Sequence, residues 1–210
     1  MIECSTDNVN IKEIIAAENV FPMFQPIVSI KQKMTIGMEA LCRGFFPDRN
    51  NVIQPYALFG MAEEQDVLLE LDRLCRRKAL EEFQHLYQQN PHFLLFLNLS
   101  ISLIDKGFVG SNHLQKMVQS FHINTSNIVI EILESNVKNI DDLKKFVRIY
   151  KDFGFLIAID DIGSGSSNLS RIHLLEPDIL KIDMSIIRNI DKEFYKQEVF
   201  KSIVNLAKKI

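Results

Sequence analysis

The side chains that could do chemistry in this chain recur at similar places. Glu39 closes the run MTIGME, Asn98 the run FLLFLN and Glu131 the run NIVIE. Asp160 and Asp161 follow FLIAI, and Lys181 stands inside ILKID. Each run is largely apolar, so each polar residue falls at or near the carboxyl end of a buried strand. A carboxylate inside an apolar strand is costly unless it is paired or bound to a metal ion. One such residue could be a satisfied core group, because structural ion-pair networks also accommodate carboxylates. Successive strands that each offer one point to a shared site.

The residue types narrow the chemistry. Several carboxylates and an amide oxygen form a hard, all-oxygen donor set, suited to magnesium or manganese rather than zinc or copper. Clustered carboxylates repel one another unless cations neutralise them. Adjacent aspartates at a strand end can bridge one ion and bind a second. That is the layout of two-metal phosphodiester hydrolysis. A lysine beside them can orient the attacking water or neutralise developing charge.

The elements that must position these residues alternate along the chain. Residues 21–30 and 34–42 read as an antiparallel pair joined by the polar turn at Lys31–Lys33. A helical region is expected from about Pro55 to Gln89, where Leu68, Leu71, Leu74 and Ala79 recur at helical spacing. Strands are then expected at 93–99, 127–133, 155–160 and 179–183, and helices at 114–121, 141–153, near 168–173 and from about Lys192. Apolar strands alternating with helices imply a parallel sheet covered on both faces. An open doubly wound sheet and a closed barrel both fit that alternation. Polar residues at successive strand ends favour the barrel, where those positions converge on one face.

Composition excludes several classes. A formal net charge of -3 is no footprint for duplex nucleic acid. Cys4, Cys42 and Cys75 form no CxxC pair, and three thiols cannot all pair within one chain, so a reduced cytoplasmic setting is expected rather than a disulfide framework. The five histidines show no HxxxH or HExxH spacing. No signal peptide is visible at MIECSTDNVN, and the longest apolar runs are too short to span a bilayer.

The same residues carry a family resemblance. EALCR at residues 39–43, preceded by FQPIV, is similar to the EALxR element of the EAL-type cyclic di-GMP phosphodiesterases. NLS at 98–100 resembles that family's NLS element, EILE at 131–134 its ExxE element, DDIGSG at 160–165 its DDFGTG loop, and LKID at 180–183 its LKID. EAL alone is trivial; the five elements in order are specific. The resemblance implies a TIM-like (β/α)8 barrel with an antiparallel first strand, and a metal-dependent hydrolysis of cyclic di-GMP to linear pGpG. It implies Glu39, Asn98, Glu131 and Asp160 as ligands of Mg2+ or Mn2+, with Asp160 bridging and Asp161 on the second ion. Lys181 would contact the attacking water, and Glu134 would anchor the loop after the FLIAID strand. Arg43 would hold a substrate phosphate, with Gln25 and Asp183 as weaker pocket candidates. It also implies a homodimer, and a sensor or GGDEF domain in a longer parent protein.

The sequence departs from the family at Ile162, Ser164 and Ser166, where the family has Phe, Thr and an aromatic residue. The family's last two βα units carry another catalytic Glu and a Gln. This sequence ends at Ile210, inside the helix after ILKID, so the barrel is expected to lack those units. Residues 1–20 read as a helical lead-in or linker and 21–210 as a C-terminally incomplete EAL domain. A catalytically inactive cyclic di-GMP receptor or a protein-interaction module is the alternative.

Overall fold

The computed structural model describes residues 10–46, 51–105, 112–132, 139–163 and 168–210. The chain divides into two compact units, Met1–Leu95 and Phe96–Ile210.

In the first unit, helix α1 (Ile11–Ala16) starts at Asn10, whose side chain accepts from the Lys12 N–H. Strands β1 (Val20–Ser29) and β2 (Met34–Phe45) form an antiparallel hairpin in which Gln25 faces Glu39 and Phe21 faces Arg43. β2 runs past the expected end at Cys42, because its last residues pair with Val20 and Phe21 on one side and with the short β3 (Val52–Ile53) on the other. The expected helical region from Pro55 to Gln89 is two helices, α2 (Pro55–Glu64) and α3 (Leu68–Gln89). Pro55 opens α2, where a missing N–H costs nothing. The break falls at Asp66, whose φ of +54° no α-helix can continue through. α3 buries Leu68, Leu71, Leu74, Cys75, Ala79, Leu80 and Phe83, the stripe that the helical spacing predicts.

β4 (Leu94–Leu99) leads into the second unit. There α4 (Ile101–Asp105), α5 (His113–Ser120), β5 (Ile128–Ile132), α6 (Ile140–Asp152), β6 (Leu156–Ile162), α7 (Asn168–Leu175), β7 (Ile179–Ile182), α8 (Met184–Ile187) and α9 (Phe194–Ala207) follow in order. β5, β6 and β7 are parallel neighbours, with β6 in the middle. Every residue of β5 is buried, as a strand covered on both faces requires. α6 begins at Asn139, whose side chain accepts from the N–H groups of Asp141 and Asp142. It buries Leu143, Phe146, Val147 and Tyr150, and the Tyr150 ring meets Phe146 at 4.1 Å and Phe155 at 5.3 Å. The Asp178 carboxylate accepts from the Ile157 N–H at 2.8 Å and ties the entry of β7 to β6. No helix among the described residues is long and apolar enough to cross a membrane.

Candidate active site

Parallel pairing brings the carboxyl ends of β5, β6 and β7 to one edge of the second unit. Glu131 sits opposite Ala158 on β6, and Ile159 sits opposite Leu180 on β7. The β6–β7 register then slips, and the next matched pair is Ile162 with Ile182. Asp160 and Asp161 therefore span the interval that Lys181 alone spans on β7. Such a bulge re-aims side chains that a regular strand would send to opposite faces. Asp161 takes φ +60°, the left-handed region, which aspartate tolerates better than most residues. Its N–H donates to Asp160 Oδ1 at 2.9 Å.

Lys181 joins the carboxylates. Its Nζ lies 2.5 Å from Glu131 Oε1 and 2.8 Å from Asp160 Oδ2. Carboxylate oxygens of Glu131 and Asp160 lie within 4.8 Å of each other. The Glu131 side chain has no exposure, while Asp160 is 16% and Lys181 24% exposed. Burial alone would depress the Lys181 ammonium, but the Glu131 and Asp160 charges outweigh it and hold the group well above the usual lysine range. Two carboxyl groups thus share one ammonium.

Asp161 faces a second carboxylate, Asp183. Burial raises the Asp161 carboxyl above its ordinary value, and the charges of Asp160 and Asp183 add to the shift. Asp183 is held below the ordinary range by hydrogen bonds from Ser185. It caps α8, accepting from the Ser185 N–H at 2.7 Å, and its own N–H donates to Ile162 O at 3.0 Å. Between them the chain turns at Gly163, whose φ of +100° suits glycine. A Cβ there would sit 2.7 Å from Ile186 Cγ1.

The remaining candidates fall as follows. Asn98 is the fifth of the six residues of β4. Glu39 and Gln25 are cross-strand partners on the β1–β2 hairpin. Arg43 lies further along β2, and its Nη1 donates to the carbonyls of Leu41 at 3.2 Å and Cys42 at 3.1 Å. Glu134 lies outside the described residues, as do Ser164 and Ser166. Two features escaped the sequence reading. One is the ion-pairing of Lys181 with both carboxylates, which their similar depth on neighbouring parallel strands could have signalled. The other is the contact between Cys42 and Cys75, whose Sγ atoms lie 2.7 Å apart. Cys75 falls on the buried stripe of α3, but nothing in the sequence says which strand residue it meets.

Together these features define an α/β domain with an acidic, oxygen-rich site at the carboxyl ends of parallel strands. The chain belongs to the EAL domain family, whose model matches residues 8–210. It is 33% identical over 197 residues to YkuI, an EAL-domain-containing protein of Bacillus subtilis, which covers 92% of this chain and 47% of YkuI. It is 30% identical over 186 residues to the cyclic di-GMP phosphodiesterase PdeA of Borreliella burgdorferi, covering 88% of this chain and 27% of PdeA. The crystal structure of YkuI with cyclic di-GMP and calcium superposes with a TM-score of 0.75 at 29% identity, covering 96% of this chain and 50% of that one. The chain thus spans less than half the length of these two curated relatives. EAL domains are TIM-like barrels, and the fold class of this chain is theirs.

Proposed function

We propose that this domain hydrolyses cyclic di-GMP to linear pGpG, with magnesium or manganese held among its acidic residues. One observation carries the reading: the Glu131 and Asp160 carboxylates converge within 4.8 Å at the carboxyl ends of parallel strands. The donor set fits a hard divalent cation, since it offers carboxylate oxygens only and one of the two residues is fully withdrawn from water. Phosphodiesterase relatives and the cyclic di-GMP complex of YkuI support the substrate.

Glu39, Asn98, Glu131 and Asp160 are the residues that would hold one ion, and Asp160 and Asp161 those that would hold a second. Bound ions would supply a hydroxide at neutral pH and stabilise the leaving oxygen. Lys181, already within hydrogen-bond reach of Glu131 and Asp160, donates to the attacking water and fixes its approach. Asp183 orients Asp161 through their shared contact. Arg43 turns its planar donors to a substrate phosphate, a pairing that the guanidinium geometry favours, and Gln25 lines the same pocket. In the reaction the water oxygen bonds to phosphorus as the bond from phosphorus to O3′ breaks. The water gives up one proton and O3′ takes one, leaving a 3′-hydroxyl on pGpG.

The test is chromatographic detection of pGpG from cyclic di-GMP with and without added manganese, for the wild type and Asp160→Asn. Manganese-dependent product that falls by about 10²-fold or more in the variant is expected. Binding of the dinucleotide without product would overturn the enzyme reading and leave a receptor.

A further inference from the structure

Cys42 and Cys75 lie 33 positions apart in sequence, yet their Sγ atoms are 2.7 Å from each other. Cys42 belongs to β2 and Cys75 to α3, so the contact ties a strand to the helix packed in the same unit. Both are free thiols; Cys75 is buried and Cys42 half-buried. A disulfide needs the sulfurs at about 2.05 Å, a sub-ångström approach from where they stand. Two packed thiols could be no more than small apolar side chains. What sets this pair apart is that each sulfur already meets the other, with one of the two on a residue that is only half-buried.

We propose that Cys42 and Cys75 are a reversible dithiol–disulfide couple, closed by a peroxide or by a small-molecule disulfide and reopened by a thiol. The half-buried Cys42 sulfur attacks one peroxide oxygen. The O–O bond breaks, and the products are a sulfenic acid on Cys42 and one water. The Cys75 sulfur then attacks the Cys42 sulfur. The S–O bond breaks, the S–S bond forms, and the thiol proton leaves with the hydroxyl as a second water. Two thiols are oxidised by two electrons in all, and one peroxide is reduced to two waters. The contact with Cys42, and then burial, hold the Cys75 thiol well above its ordinary range, which suits it to the second step rather than the first.

Closure would fix β2 to α3 one residue before Arg43, whose guanidinium already bonds to the Cys42 carbonyl. Cross-linking a long loop stabilises chiefly by restricting the unfolded chain. Because the two sulfurs already touch, closure needs only a short further approach, and the gain should survive.

The experiment treats the full reduced chain with a small excess of hydrogen peroxide, and separately with oxidised glutathione. The expected result is the loss of two hydrogen masses, a Cys42–Cys75 cross-linked peptide in a non-reducing digest, and full reversal by dithiothreitol. The midpoint of thermal unfolding should rise by about 5–10 °C on closure. Cys42→Ser and Cys75→Ser should each abolish the mass loss, and Cys4→Ser should leave it intact. Retention of both thiols under these conditions would overturn the proposal. So would sulfinic acid on Cys42 with Cys75 free, cross-links that involve Cys4 or a second chain, or a fall in the unfolding midpoint on closure.

Discussion

Replacing Lys181 by methionine keeps most of the side-chain volume and removes the ammonium seen between Glu131 and Asp160. What remains is two carboxylates within 4.8 Å of each other, one of them without exposure. At an effective dielectric of about 20, unit charges at that separation repel by ~3.5 kcal/mol. Removing one partner of a buried pair commonly costs about 3–5 kcal/mol. The Lys181 side chain is 24% exposed, so water softens the loss and the lower end applies. A cost of about 3 kcal/mol in a domain of this size lowers the unfolding midpoint by about 6–12 °C. The same substitution should tighten divalent-cation binding, because the carboxylates no longer have an internal competitor. We expect the variant to melt earlier than wild type in a chelator, to bind manganese about tenfold more tightly by calorimetry, and to recover most of its lost stability at saturating manganese. Lys181→Arg should keep the stability in chelator. A variant that melts with wild type, or that binds manganese more weakly, would show that the ammonium is not the counter-ion of this site.

Two further outcomes test the framework around the site. Gly37→Ala should destabilise the first unit by about 1–3 kcal/mol in denaturant unfolding, since the new Cβ would sit 2.6 Å from the backbone oxygen of Leu94 and 3.0 Å from its Cβ. Glu18 accepts from Arg77 at 2.6 Å and Lys78 at 2.9 Å, and these partners push its carboxyl down to about 2. A depressed carboxylate stabilises above its unfolded value near 4.5 and loses that contribution as pH falls through about 2. Wild type should therefore exceed Glu18→Gln in stability at pH 6, with the gap closing between pH 4.5 and 2 in acid titrations followed by circular dichroism.

The strands of the second unit were legible because each carries a continuous apolar run. Ile128–Ile132, buried throughout, and Ile179–Ile182, only half-buried, both fall inside the expected segments. The helical region from Pro55 to Gln89 was legible, but its break at Asp66 was not, because it carries neither Gly nor Pro; a charged residue takes a positive φ there. β3 was missed because two residues carry no periodicity, and β2 was read short because its last residues are held by cross-strand partners rather than by apolar alternation. At the candidate site, the identity of each polar residue and its place near a strand end could be read directly. The register slip at Asp160 and Asp161 could not, because a bulge depends on how two strands pair. Lys181 read as a group acting on water, and its grip on two carboxylates emerges only when β5, β6 and β7 lie side by side.

That grip explains how a fully buried glutamate survives in the core of β5. Without a counter-charge, Glu131 would take up a proton or destabilise the strand. Lys181 supplies the charge from the neighbour but one, across β6, and Asp160 on β6 accepts from the same ammonium. The fold can therefore form without a bound cation, unlike small metal domains that are unfolded until loaded. A divalent ion held by Glu131 and Asp160 would compete with the Lys181 ammonium for the same oxygens. On the proposed reading, Lys181 would serve as counter-ion while no ion is bound and as donor to the attacking water once one is. The bulge at Asp160 and Asp161 assists by breaking the strict alternation of β6, which leaves both carboxylates near the strand end. A straight β6 would send neighbouring side chains to opposite faces; with the register slip, Asp160 meets Lys181 while Asp161 meets Asp183, so the irregularity in the sheet and the lysine act on the same strand end.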